Sequence, residues 1–225
     1  MKLDLLVVAP HPDDAELGAG GTLALVARAG RAAGVLDLTR GEAGSKGSPD
    51  LRAAEAARAA EVLGLAWRGN LGLPDGGLRD DEGYARRLAA ELRRLRPRVV
   101  LGPHPEDRHP DHTGAAALLR RALHLAGLAR AAVEGEPHKP ERFLWYPGNE
   151  PTTPNLLVDV SATVEVWEAA VRAFASQFEG EAASETVGPA GLEARRALRR
   201  YWGNLAGVAY AEPFVAPRPW LVREL

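Results

Sequence analysis

Six consecutive residues, His11-Pro12-Asp13-Asp14-Ala15-Glu16, place one imidazole and three carboxylates directly after the apolar run "LLVVAP". A second segment, "HPEDRHPDH" from His104 to His112, carries three more histidines, so four of the chain's six lie in these two stretches. There is no cysteine, which excludes disulfides and thiolate ligands. Any metal must therefore be held by imidazole and carboxylate. His11 and Asp14 are three apart in a turn, and His112 arrives from the other loop. Two histidines and one carboxylate form a zinc-type triad that leaves positions for water or substrate. Asp13, adjacent to Asp14, should point away from the metal and can accept a proton from water whose pKa a metal lowers towards about 7. His109 can stabilise an oxyanion or protonate a leaving amine. Asp111 can orient an imidazole, that of His109. His104 can line the pocket on the substrate side or simply occupy a polar loop. Each segment alone reads as an ordinary polar turn; the metal reading rests on both together.

Other stretches carry weaker signals. "GAGGTLA" (Gly18 to Ala24) lacks the spacing of a dinucleotide fingerprint and no lysine follows it, so its glycines are expected to let a helix approach a sheet closely. "TRGEAGSKGSPDLR" (Thr39 to Arg52) is a polar loop that can close over a substrate, with Arg52 either an anion clamp or a solvated side chain. "ELRRLRPR" reads as a solvated helix face balanced by nearby acids.

The elements that must position these residues alternate along the first 126. "LDLLVVAP", "AAGVLDLT", "AWRGNLGL" and "RVVLGP" read as strands. Between them come helices: "ELGAGGTLALVARAG" ended by Gly30, "DLRAAEAARAAEVLG" capped by Asp50 and ended by Gly64, and "DEGYARRLAAELRRLRP" stopped at Pro97. A further helix is expected from about Asp111 to Leu125. This alternation predicts an α/β fold: a Rossmann-like, doubly wound, mainly parallel sheet with helices on both faces. In the common order 3-2-1-4-5 the first and fourth strands are neighbours. Both polar clusters then meet beyond the carboxyl ends, where such sheets bind ligands. Residues 127–225 are expected to form a C-terminal α/β elaboration of one domain. Its strand candidates are "RFLWYP" and "NLLVDVS", and its helices run from Ala162 to Phe178 and from Ala190 to Trp202.

At 225 residues with 46% hydrophobic and 26% charged content, the chain has the composition of an ordinary globular protein. A net charge of −2 gives no reason to expect nucleic acid or an anionic membrane as partner. No apolar run approaches the roughly 20 residues that span a bilayer, and the N-terminus does not read as a signal peptide. A cytoplasmic location is the expectation.

The pair "APHPDDAELGAGGTLA" and "HPEDRHPDH" resembles the LmbE-like (PIG-L) zinc N-deacetylases. "LDLTRGEAGSKGSPDLRAAEAARAAEVLG", "NLGLPDGGL", "VVLGPHPEDRHPDH", "VDVS", "SQF" and "GVAYAEPF" look like the branch that deacetylates N-acetylglucosaminyl-malate in bacillithiol biosynthesis. The resemblance implies Zn²⁺ (or another divalent transition metal such as Fe²⁺) held by His11, Asp14 and His112. It implies Asp13 as general base, His109 with Asp111 as the acid or oxyanion-stabilising pair, and Arg52 near a polar or anionic part of the substrate. Tyr210 and Glu212 fall in the branch's closing motif, and His104 departs from the aromatic or aliphatic residue expected there. It further implies a small amino-sugar conjugate as substrate and a homo-oligomer, commonly a hexamer. Two rival classes share the acidic loops, a metal-dependent phosphoesterase and a receiver-like signalling domain. The first usually needs more ligands for its two metals, and the second lacks its phospho-acceptor aspartate and lysine here.

Overall fold

The computed structural model describes residues 1–150, 152–178 and 188–219. Strand β1 (Leu5–Ala9) is the centre of a parallel five-stranded sheet, followed outward on one side by β2 (Ala33–Asp37) and β3 (Trp67–Asn70). On its other side lie β4 (Val99–Pro103) and β5 (Arg142–Tyr146), giving the order β3-β2-β1-β4-β5. The period-two alternation of side chains decides the layers. Leu6 and Val8 of β1 pack with Leu36, Val100 and the apolar sides of α3 (Glu82–Leu95) and α4 (Pro110–Gly127). Leu5, Val7 and Ala9 face the opposite layer, where α1 (Asp14–Arg28) lies on the sheet beside Leu63 of α2 (Pro49–Leu63). Both faces are covered, so the central strands are apolar throughout.

Several boundaries differ from the sequence expectation. Helix α2 is capped by Ser48, whose hydroxyl accepts from the Leu51 N–H, and not by Asp50. Pro49 occupies the first turn, where its missing N–H costs nothing. The third strand stops at Asn70, whose side-chain amide donates to the Thr39 carbonyl and turns the chain. The helix expected over 162–178 divides into α5 (Val164–Arg172) and the short α6 (Ala175–Phe178). The parallel sheet also extends past residue 126, because β5 completes it.

Outside that sheet, β6 (Leu156–Asp159) pairs antiparallel with β7 (Ala211–Phe214), a strand the sequence pattern did not reveal. Between them runs α7 (Pro189–Ala206). Glu212 explains how this layer is fixed: its buried carboxylate accepts from the Gly21 and Thr22 N–H groups, the Thr22 hydroxyl and Arg199. Two of those donors lie in the middle of α1, just past the non-helical Ala19 (φ −147°) that interrupts its ladder. Freed amides there are thus satisfied by a carboxylate. Glu212 is a structural brace. Tyr210 packs at the edge of the cluster around Trp167, between Arg196 and Arg200. The glycines of "GAGGTLA" do permit close approach: a Cβ on Gly18 would fall 2.3 Å from the Tyr146 ring, and one on Gly20 would fall 2.8 Å from Trp167.

Candidate metal centre

Strand β1 ends at Ala9, and the chain turns through His11 to start α1 at Asp14. Strand β4 ends at Pro103, and its loop leads to His109, which caps α4. Adjacent strands therefore deliver both clusters to one sheet edge, as the strand order requires. Asp14 Oδ2 lies 3.1 Å from His11 Nδ1 and 3.3 Å from His112 Nε2. A tetrahedral zinc with ordinary His and carboxylate bonds would set ligand atoms about 3.3 Å apart. The donor set fits such a cation in type and spacing, and His11, Asp14 and His112 are one of two groups of described residues able to hold one. The other group is His11, His109 and Asp111, which shares His11.

Each of these imidazoles has a carboxylate behind it. His112 Nδ1 is 3.1 Å from Asp107 Oδ2, and His11 Nε2 is 3.1 Å from Asp111 and 3.0 Å from Asp75. This leaves His11 Nδ1 and His112 Nε2 facing Asp14, the carboxylate–histidine–metal arrangement that sets ring orientation. Burial by itself would lower both imidazole pKa values, yet the acids prevail. Hydrogen bonds donated by its ring to Asp111, Asp14 and Asp75 push His11 up to about 12. The charge of Asp14 and the Asp107 hydrogen bond push His112 up to about 10. Asp75 is held down at about 2 by its bond to His11, and Asp107 well below the carboxylate range by His112 and two backbone N–H donors, against the effect of burial.

Asp111 was expected beside His109; its hydrogen bonds go elsewhere. Its carboxylate accepts from the Gly76 and Leu78 N–H groups at 2.7 and 3.0 Å and meets His11, not His109. The Asp111 N–H instead donates to His109 Nδ1 at 3.2 Å. A ring nitrogen that accepts must be unprotonated, so His109 carries its proton on Nε2. Burial, then repulsion from His11 and His112, lowers its pKa, which keeps it neutral near pH 7. The ring stacks on His112 (centroids 4.9 Å apart) and meets His11 edge-on at 5.0 Å.

Asp13 sits at φ 122°, a conformation that costs a non-glycine residue strain. Arg52 Nη2 donates to Asp13 Oδ2 at 3.1 Å and also to the Pro12 carbonyl. With 4% of its surface exposed, Arg52 is buried on α2 beside Asp13 and borders the same pocket, which removes the reading of a solvated side chain. Burial raises the Asp13 pKa to about 7, partly offset by the Arg52 charge. Of the two readings of His104 the structure favours the polar loop: its Nδ1 accepts from the Glu106 N–H, and the residues bordering the pocket do not include it. That pocket, of about 270 Å³, is bordered by His11, Asp13, His109, Asp75, Asn149 and the glycines of the 41–44 loop.

Asp75 and Asp107 were missed by the sequence reading. Asp107 lies inside the quoted "HPEDRHPDH", so an acid five before His112 was the available signal. Asp75 gave none, since it comes from the β3–α3 connection and meets His11 only in the fold.

The profile of the GlcNAc-PI de-N-acetylase (PIG-L) family matches residues 6–123 of this chain. The chain belongs to that family. It is similar to the diacetylchitobiose deacetylase of Thermococcus kodakarensis, at 31% identity over 92% of this chain and 80% of that protein. Among solved structures, the conserved protein TT1542 of Thermus thermophilus superposes with a TM-score of 0.92 at 60% identity, covering 98% of this chain and 97% of that one. The 4-carboxy-2-hydroxymuconate hydratase of Pseudomonas putida KT2440 superposes with a TM-score of 0.85 at 25% identity over the full length of both chains. The PIG-L family is one of metal-dependent N-deacetylases, and its α/β fold with a five-stranded parallel sheet is the one described here. Among the described residues no helix is long and apolar enough to cross a membrane.

Proposed function

We propose that this PIG-L protein hydrolyses the N-acetyl group of an N-acetylglucosamine conjugate, with N-acetylglucosaminyl-malate as the favoured substrate and Zn²⁺ as the metal. The observation that carries the reading is the convergence of His11, Asp14 and His112 beside an Asp13 that faces the same pocket. A divalent cation bound there supplies Lewis-acid chemistry, drawing electrons from an amide carbonyl and acidifying nearby water. The chain's own groups do the rest. Asp13, braced by Arg52, accepts the proton of the attacking water. His109, neutral and protonated on Nε2, donates a hydrogen bond to the oxygen that gains negative charge as the amide is attacked. Asp111 and Asp75 hold His11, and Asp107 holds His112, so the ligating nitrogens keep their aim. As the C–N bond breaks the nitrogen takes up the proton that Asp13 accepted, and the products are the free amine and acetate.

The Thermococcus kodakarensis relative supports an N-acetylated amino sugar as substrate class. The malate aglycone rests on the sequence resemblance, and so do assembly as a homo-oligomer and a cytoplasmic location. Acetate release from N-acetylglucosaminyl-malate, its inositol counterpart, free N-acetylglucosamine and diacetylchitobiose tests the reading. Strong preference for the first supports the branch; equal turnover of all four reduces the protein to a general sugar deacetylase. No acetate from any, with hydration of an unsaturated tricarboxylate instead, would replace the reading by the chemistry named for the Pseudomonas putida neighbour.

A further inference from the structure

The wall of the metal centre continues into a second cavity of about 340 Å³. Leu17 and Asn149 line both spaces, so the two adjoin. Much of the second is apolar, with Leu198, Trp202 and Pro213 among its walls, and its charged lining residues are Arg195, Arg199 and Glu150. Two of these three have partners of opposite charge. Arg199 pairs with the buried Glu212 at 2.9 Å, and Glu150 faces Arg108 at 3.9 Å. Arg195, on α7, pairs with no carboxylate among the described residues; its side chain makes one hydrogen bond there, from Nη1 to the Gly148 carbonyl at 3.3 Å. Gly148 in turn presses on the metal centre, since a Cβ there would fall 2.0 Å from Asp107 Oδ2 and 2.9 Å from His112 Nδ1. Arg195 is therefore anchored at the boundary between the two cavities. A half-buried guanidinium whose other donors meet no acceptor among the described residues, beside apolar surface, has lost hydration that an incoming anion would offset.

We propose that Arg195 is a specificity-determining residue that receives an anionic group, carboxylate or phosphate, on the aglycone of the substrate. The inference rests on the deacetylase reading and deepens it. The reacting amide must lie between Asp13 and His109, so the remainder of the conjugate extends into adjoining space. The second cavity adjoins on the side of Leu17 and Asn149. The planar fork of arginine matches both anions, whereas an uncharged aglycone leaves its donors unmet.

The test compares kcat/KM for acetate release from an N-acetylglucosamine glycoside with a carboxylate-bearing aglycone, its methyl ester and a phosphate-bearing analogue. Wild type is expected to favour acid over ester. Arg195→Gln should lower the acid-to-ester ratio roughly 10- to 100-fold, mainly through KM, the loss expected for a hydrogen-bonded charge. Arg195→Lys should fall between the two. Whichever anion loses more on substitution is the one the site reads. An acid-to-ester ratio near one in wild type overturns the inference even if neither variant folds. So does a drop in activity that leaves the ratio unchanged, which marks a purely structural arginine. Failure of the parent reading looks different, because wild type then releases no acetate from any of the glycosides.

Discussion

Asp107 accepts the hydrogen of His112 Nδ1 at 3.1 Å, and this one contact decides which nitrogen of His112 faces Asp14. Asp107 also accepts from the backbone N–H groups of His109 and Asn149, so it fixes the loop and the ring together. Asp107→Asn should therefore weaken metal binding by roughly 10- to 100-fold, the usual cost of removing such a partner. Competition against a chelator measures it. Affinity equal to wild type would mean that the ring is oriented by packing alone.

Asp13→Asn should retain the metal and lose about 10²–10⁴-fold in kcat, because an amide cannot accept the proton of the attacking water. Metal analysis and turnover on one sample separate the two effects. Full activity in a metal-replete variant removes Asp13 from the base role.

Metal uptake should release protons. In the metal-free protein the pKa values of His11 and His112 are raised to about 12 and about 10, so both rings are charged at pH 7. A metal binds only the neutral rings, so each binding event displaces about two protons and apparent affinity climbs as pH rises towards 10. The same shifts give the metal-free fold stability that is present below about pH 6.5 and lost as pH rises through about 10. Calorimetry in buffers of different ionisation enthalpy counts the protons; a count of zero contradicts the charged rings.

Gly18→Ala should destabilise the fold by about 1–3 kcal/mol, the range for overpacking a filled interior. The added methyl would meet the fully buried Tyr146 ring, whose hydroxyl is held by the Val8 carbonyl. Denaturant unfolding of the two proteins tests it. Because α1 also carries Asp14, a weaker metal affinity should accompany the loss.

What was legible in the sequence is what local chemistry encodes. Strand–helix alternation, with apolar strands and glycine stops, specified a doubly wound sheet. The order that makes β1 and β4 neighbours then brought His11 and His112 to one edge. Residues whose role depends on a distant partner were misread or missed. Asp50 and Ser48 are both competent caps, and only the backbone angles chose between them. The strand Ala211–Phe214 is too short to show alternation and is defined by pairing with Leu156–Asp159.

Within the site, sequence alone determined the donor types, because a chain without cysteine that groups imidazoles and carboxylates at loop ends can offer only nitrogen and oxygen. Tertiary structure decided which donor faces what. It set Asp111 and Asp75 on His11, Arg52 beside Asp13, and a proton on His109 Nε2. Hydrogen bonds act over about 3 Å and are directional, so they depend on how segments 35 to 100 positions apart come to rest against one another.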